Sequence, residues 1–467
     1  MQIAPIVESF FAPLLDEGLS LGESVEQVRE NIIIDSQSRY FDWTASGLAY
    51  KTIESRIAQI LPFYSNTHSF SSSHSKITSA LYDEARARLK QALALDEDFL
   101  LIACGSGASG AIKKFQELLG VYIPPQSKRR IPANLKKTSL PKVFISSYEH
   151  HSNEISLRDG LCEIVKIGLD CAGRFDVSAL EEELKQAQKE GREVIGSFCA
   201  VSNVSGIISP QEKIAKLFGK YAPNAPLAFD AASASAHTNI ESTHCNALFL
   251  APHKLLGGVQ SCGLLAMQKR FFQTPSPSFS GGGVIEYASN DGHLYVEDYE
   301  RREEAGTPPI IGLLRAALAY QLRNEVGLAN ILRRERVLTQ IFLNELKKIP
   351  AISLYGDWQS ERSDALGIIS FNVACVSPFD LSVLLSQKFG IQTRAGCSCA
   401  GPYGHYLMEL DSLNFKSAES KKLLYSLLKN PQKRPGWLRV SLHYTHSLQD
   451  IEYVIESIQH CIKILRS

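Results

Sequence analysis

The chain has 467 residues, enough for two domains and a sizeable core, and its 44% hydrophobic and 21% charged residues are the make-up of a soluble globular protein. Its 49 basic and 49 acidic side chains balance, which removes the usual reason to expect a nucleic acid or an anionic membrane as partner. No stretch approaches a bilayer-spanning helix, the N-terminus MQIAPIVESFFAPLLDEGLS lacks the basic start and long apolar centre of a signal peptide, and the ten cysteines follow neither disulfide nor zinc-ligand spacing. A reduced, cytoplasmic enzyme is expected.

Residues 1–30 read as helical, with Ile6, Phe10, Leu14 and Leu15 along one side. NIIIDSQSRYFDWTASG then predicts a short strand followed by a loop of small polar residues, Thr44 to Gly47. Helices are expected over 51–61 and 76–95. The serine-rich stretch 65–75 between them, with His68 and His74, is either a disordered connection or an active-site loop. Phe99 to Ala103 reads as a strand entering CGSGASGAIKKFQELLG. The small residues from Gly105 to Gly110 let a backbone approach a ligand, and the helix behind them points its amides at it, which is how a phosphate is held. The pattern is neither a dinucleotide-binding nor a Walker loop, and a bare strand-to-helix turn would use the same residues.

Residues 124–142, rich in proline and basic side chains, predict a surface insertion. The strand 142–146 opens into SYEHHSN, where the vicinal histidines have no acidic or cysteine partner at metal-ligand spacing, so a stacking or acid/base role suits them better. Further strands follow, each ending in polar residues: 193–200 before VSNVSG, 226–229 before Asp230, and 247–251 before Pro252-His253-Lys254. Lys254 either snorkels from the rim of a sheet or is a buried amine of depressed pKa, the kind that forms a Schiff base. Helical segments at 179–190 and 211–220 alternate with these strands and predict a mostly parallel α/β sheet with its functional groups at the strand ends. Asp230 and Lys254, ending successive strands, would grip opposite sides of one aromatic cofactor, with Asp230 keeping a pyridine nitrogen protonated.

In the second half, long helices are expected over 310–348, a strand of a smaller α/β domain over 363–374 and a helix over 379–390. The loop TRAGCSCAGP contains Cys397 and Cys399. Its small residues and Arg394 favour a reactive thiol over a pair of buried fillers. Residues 435–458 read as a strand, a turn and an amphipathic helix, and Arg439, in the middle of Leu-Arg-Val-Ser-Leu, requires a partner.

The ordered set GSGASGAI (105–112), YEHHSN (148–153), VSNVSG (201–206), FDAASASAH (229–237), APHKLLGG (251–258), EEAGTPPI (303–310) and TRAGCSCAGPYGH (393–405) resembles the class V aminotransferase superfamily of fold-type I, pyridoxal-phosphate-dependent enzymes. Within it the chain is most like cysteine desulfurases and selenocysteine lyases, from about Tyr40 to the C-terminus. The resemblance implies a large cofactor domain over 35–305, built on a mostly parallel, seven-stranded type of sheet. A smaller α/β domain over 306–467, with residues 1–34 packed on it, would complete the fold. It implies that Lys254 carries pyridoxal 5'-phosphate and shuttles the substrate's α-proton, Asp230 pairs with the pyridinium, His150 stacks on the ring, and Asn203 lies near the ring oxygen and the substrate. Ala108 and Ser109 would form the phosphate cup beside His253. Thr307 would reach the cofactor phosphate of a second subunit, making a homodimer with shared sites.

Arg439 matches the arginine that pairs with a substrate carboxylate, for which a guanidinium is suited. Arg394 and Cys399 match the R-x-G-x-x-C loop, in which the last cysteine receives sulfur. Two positions depart from the family: Ala251 and Ser233 stand where serine and glutamine are common, so phosphate and ring-oxygen contacts must be rebuilt, with Ser233, Ser235 and His237 as candidates. Cys397 and Ser398 replace residues that are often histidine, and Cys397 adds a second thiol to relay or trap sulfur. The expected activity is conversion of L-cysteine to L-alanine with a persulfide left on Cys399 for a sulfur-acceptor protein. Selenocysteine lyase, a transaminase, lyase or epimerase of another amino acid, and a non-catalytic scaffold are the alternatives, the last opposed by the intact Lys254, Asp230 and Arg439.

Overall fold

The computed structural model describes residues 2–67, 69, 71–131, 139–358, 365–410, 417–430 and 434–466. The apolar runs between residues 99 and 268 are each four to six residues long, too short for helices, and become one seven-stranded sheet. Its strands are β1 (Phe99–Cys104), β2 (Lys142–Ile145), β3 (Glu163–Lys166), β4 (Val194–Cys199), β5 (Leu227–Asp230), β6 (Ala247–Leu250) and β7 (Gly263–Gln268), in the order β1-β7-β6-β5-β4-β2-β3. All neighbours are parallel except β7, which runs antiparallel to both β1 and β6. The expectation of a mostly parallel α/β sheet holds. The reversal at β7 begins in the turn after Lys254, where Gly258 is packed so closely that a Cβ would stand 1.9 Å from the Pro252 carbonyl oxygen.

Because side chains alternate along a strand, the sheet feeds two cores. Phe198, Phe229 and Leu248 point to one face, and Ile195, Ala228 and Phe249 to the other. A sheet buried on both faces leaves its strand ends as the natural exits for polar groups, and that is where the site forms.

The helix expected over 1–30 is instead two helices, Ala4–Phe10 and Leu21–Glu30. Pro13 lies in the break, and a capping box starts the second helix: Ser20 Oγ accepts from the Glu23 amide while the Glu23 carboxylate accepts from the Ser20 amide. Phe10, Phe11, Leu14, Val25 and Val28 join the core of the large sheet. The expected helices 51–61 and 76–95 are Lys51–Ile60 and Ser73–Ala92, the latter beginning early because Ser72 caps it by accepting from the Ser75 amide. His68 of the serine-rich stretch lies outside the described residues, as do 132–138 of the basic insertion. Within the described part of that insertion, Pro125–Arg130 is a 3₁₀ helix with no buried residue.

The helices Ile310–Val326 and Leu328–Leu346 are parted by Gly327, at φ +90°. A second, antiparallel sheet follows: β8 (Ile352–Tyr355), β9 (Ile368–Val373), β10 (Arg394–Gly396) and β11 (Trp437–Ser441), ordered β8-β9-β11-β10. Residues 363 and 364 of the strand expected over 363–374 lie outside the described residues. The helices Pro378–Phe389 and Leu448–Arg466 share with this sheet a core that includes Phe371, Leu381, Leu438, Val440, Ile451 and Ile458. The segment from Arg39 to Asp42 belongs structurally to this half. Arg39 and Tyr40 pair in parallel with Ile391 and Gln392, Phe41 enters the second core, and Asp42 bridges to Ser441 on β11. Among the described residues no helix is long and apolar enough to cross a membrane.

Candidate active site

The C-terminal ends of β2, β4, β5 and β6 and the edge of the second sheet enclose a cavity of about 230 Å³. Of the site residues expected from sequence, Ala108, Ser109, His150, Asn203, Asp230, Ser233, His253, Lys254, Arg394, Cys399 and Arg439 all line it. Thr307 does not. It lies exposed before the helix Ile310–Val326 and accepts a hydrogen bond from Asn66 Nδ2 at 3.2 Å.

Lys254 leaves β6 through a single 3₁₀ turn, Pro252–Lys254, and its Nζ donates to Ser233 Oγ at 3.3 Å. Burial pulls the amine down from its usual 10.5 to about 8. Asp230 opposes the shift and Arg439 adds to it. Asp230 ends β5 with only 6% of its surface exposed, and one carboxylate oxygen accepts from the Ala232 amide at 3.0 Å. Ser233, three residues beyond Asp230, faces the lysine. Ser235 and His237 do not reach the cavity, so they rebuild no contact there: His237 Nδ1 meets Glu335 Oε2 at 2.6 Å in the interior, and the Ser235 carbonyl accepts from Arg323. The turns after Ala231 rotate these two toward the helices 310–326 and 328–346.

His150 caps the helix His151–Arg158, its Nδ1 accepting from the Ser152 amide at 3.1 Å, so the neutral ring carries its proton on Nε2. Burial lowers its pKa and keeps it neutral. Beneath it Glu149 is fully enclosed and accepts from the Ser146 amide and hydroxyl, the Cys199 amide and Asn153 Nδ2, at 2.6 to 3.0 Å. Burial nevertheless pushes its carboxyl up to about 7. The group ties the ends of β2 and β4 together below the site. Sequence reasoning assigned it nothing, since a glutamate before two histidines gives no sign of being buried.

The helix Gly107–Leu118 opens toward the cavity with no side chain capping it, so the first-turn amides of Ala108 and Ser109 stand at the cavity wall. Gly107 has φ +55°, and a Cβ there would meet His253 Cε1 at 2.7 Å. Gly107→Ala is therefore expected to cost about 1–3 kcal/mol and to push the His253 ring off the helix, measured as a lower melting temperature and weaker phosphate-ligand binding.

The cysteine loop is the most strained part of the site. Ser398 and Cys399, neither of them glycine, have φ +52° and +58°. Contacts from three other segments impose this shape: Asn203 Nδ2 donates to the Ser398 carbonyl at 2.6 Å, Trp437 Nε1 to Ser398 Oγ at 3.2 Å, and the His151 amide to the Cys399 carbonyl at 2.8 Å. His151 Nε2 also accepts from the Gly401 amide at 2.8 Å, so the second histidine of the pair positions this loop. Cys399 is exposed and lines the cavity, while Cys397 is exposed without lining it.

Arg439 is 2% exposed on β11 and sits directly opposite Arg394 on β10. Its Nη1 donates to the Asn203 carbonyl at 2.9 Å and its Nη2 to Asp42 Oδ1 at 2.8 Å. Arg394 reaches the same carboxylate through Nε and Nη2 at 3.0 to 3.2 Å. Arg439 Nε and Asn203 Oδ1 are buried and have no hydrogen-bond partner among the described residues. Asp42 was not singled out from sequence. The need of Arg439 for a partner was the signal, but nothing local said where that partner lay.

This arrangement fits a phosphorylated pyridine carbaldehyde: a nucleophilic lysine, an acid beyond it, a neutral imidazole to stack, and an uncapped helix start beside a histidine. Comparison with known proteins agrees. The aminotransferase class-V family model matches residues 39–454. A probable cysteine desulfurase of Pyrococcus abyssi is 27% identical over 450 residues, covering 95% of this chain and 98% of the relative. One from Streptomyces coelicolor is 29% identical over 268 residues, 56% of this chain and 61% of the relative. Among solved structures, the apo cysteine desulfurase of Thermococcus onnurineus superposes with a TM-score of 0.74 at 25% identity, covering 94% of this chain and 98% of that one. The family match spans the cavity-lining residues from both sheets, and the chain belongs to the class-V aminotransferases, a family of pyridoxal-phosphate enzymes.

Proposed function

We propose that the protein is a pyridoxal-phosphate-dependent cysteine desulfurase, which takes L-cysteine to L-alanine and leaves the sulfur on Cys399 as a persulfide. The observation that carries the reading is the presence of Cys399, Lys254 and Arg439 in the wall of one cavity. Lys254 would hold the cofactor covalently, Asp230 its ring nitrogen, His150 its face, Asn203 its ring oxygen, and Ala108, Ser109 and His253 its phosphate. When bound, the cofactor supplies an electron sink for the substrate's α-carbon.

The residues do the rest. Arg439 orients the substrate carboxylate, with Arg394 beside it. The Lys254 amine, of depressed pKa, takes the α-proton and later returns a proton to carbon. The Cys399 thiolate attacks the substrate sulfur, and the carbon–sulfur bond breaks with its electron pair moving to carbon. The balance is L-cysteine plus Cys399 thiol giving L-alanine plus Cys399 persulfide. The exposure of Cys399 leaves that sulfur open to a second thiol or an acceptor protein. The ten cysteines, all free, suit a reducing cytoplasm. Thr307, exposed and away from this cavity, is proposed to face the cofactor phosphate of a second subunit. The two sheets with their cores would be the two domains.

Capture of added pyridoxal phosphate by cofactor-free protein is expected to accelerate as pH rises, with its midpoint near pH 8, where half of the Lys254 amine has lost its proton, and to level off above that. A rate that climbs on toward pH 10.5 would assign the capture to an ordinary surface amine. The deciding experiment is anaerobic incubation with L-cysteine and a thiol reductant, assaying sulfide and alanine together. Equal yields that fall about a hundredfold in Cys399→Ala, with cofactor content unchanged, are expected. An undiminished mutant, or a wild type that binds L-cysteine and releases neither product, refutes the desulfurase reading.

A further inference from the structure

Two arginines directly opposite each other on adjacent antiparallel strands repel unless an anion lies between them. Arg394 and Arg439 are such a pair, and the anion is part of the chain: Asp42 accepts from Arg439 Nη2 at 2.8 Å and from Arg394 Nε and Nη2 at 3.0 to 3.2 Å. The Asp42 side chain is 12% exposed. A second observation points to a ligand. Arg439 Nε, on a side chain 2% exposed, has no partner among the described residues, although a buried guanidinium N–H left unpaired is costly. Of the three guanidinium nitrogens, Nη2 thus donates to an internal carboxylate, Nη1 to the Asn203 carbonyl, and Nε to nothing among the described residues.

With Nη1 on the Asn203 carbonyl, the planar two-point grip left to an incoming carboxylate is Nε together with Nη2, the nitrogen that Asp42 holds. We propose that Asp42 is a specificity-determining residue, an internal carboxylate that competes with the substrate's α-carboxylate for Arg439 and is displaced toward Arg394 when an amino acid binds. This rests on reading the cavity as an amino-acid site. Asp42 keeps the arginine pair neutralised while the site is empty, and it sets how tightly any α-carboxylate is held. Ligands without a carboxylate have nothing to displace and do not feel it.

The test compares binding of L-alanine with that of cysteamine, an amine lacking the carboxylate, to holoenzyme by calorimetry, alongside KM and kcat for L-cysteine. Asp42→Asn removes the competitor's charge and keeps its shape, so L-alanine should bind at least tenfold tighter and the KM for L-cysteine should fall, with cysteamine affinity unchanged. Asp42→Glu restores the charge and should return L-alanine affinity to within a few-fold of wild type, which guards against an Asn variant altered only in folding. Weaker or unchanged L-alanine binding in Asp42→Asn, or equal shifts for cysteamine, would overturn the proposal. Failure of wild type to bind any amino acid would instead sink the functional reading beneath it.

Discussion

Lys254→Ala is expected to lower turnover by about 10⁴-fold or more and to yield protein without the absorbance of a lysine-bound cofactor. Proton transfer by a positioned group supplies on the order of 10²–10⁴-fold, and this residue is proposed both to move the proton and to hold the cofactor. The fold should survive, because among the described residues the amine makes one hydrogen bond of 3.3 Å, to Ser233, and its burial is unfavourable to the charged form. Removing it leaves Ser233 facing a polar cavity that water can fill. Absorbance spectroscopy, with cofactor content measured after desalting, separates this result from simple unfolding. Lys254→Arg should be equally inactive, since a guanidinium stays protonated and cannot take the α-proton. A Lys254→Ala protein that turned over within tenfold of wild type would remove the lysine from the mechanism.

The second large effect is expected from Asp230→Asn, a loss of roughly 10³-fold in kcat, in line with losing one charge aimed at a developing charge. The substitution keeps the shape and an oxygen able to accept from the Ala232 amide, so melting temperature should stay within a few degrees. What would disappear is the negative charge proposed to keep the ring nitrogen protonated and the ring electron-poor. Asp230→Glu should recover part of the rate, because charge is restored with the wrong reach. An Asp230→Asn enzyme with wild-type kcat would show that the acid serves only to cap the end of β5.

These expectations rest on residues visible in the sequence, and the reason is topological. In a sheet buried on both faces, each apolar run announces a strand, and the first polar residues after it mark the rim. Asp230, Lys254, Asn203 and His150 were legible in that way. Asp42 was not, because its partners Arg394 and Arg439 lie 352 and 397 residues further along the chain, and no local pattern encodes such a contact. His151 shared with His150 an expected stacking or acid/base role, yet its ring and amide fix the cysteine loop some 250 residues away. Ser235 and His237 failed as cofactor contacts because alternation stops where a strand stops. Once β5 ends, the chain coils, and side chains two and four residues past Ser233's neighbourhood face the helices behind it. The break at Pro13 and the reversal of β7 were missed for a related reason. Amphipathic spacing ran through the first, and an apolar run carries no sign of its direction in the second.

The stretch from Asp42 to Gly47 ties together two things that are otherwise far apart along the chain. At one end, Asp42 is fastened to the arginine pair of the second sheet. At the other, the Gly47 amide donates to the His253 carbonyl at 2.8 Å, next to the lysine. Five residue steps of fully extended chain reach no further than about 18 Å. The stretch is therefore a leash: the part of the molecule that would grip an amino acid by its carboxylate cannot swing away from the part that would grip it by its nitrogen beyond that length. Any opening of the cleft is a hinge of limited throw, and lengthening this leash by inserted glycines would loosen both grips at once.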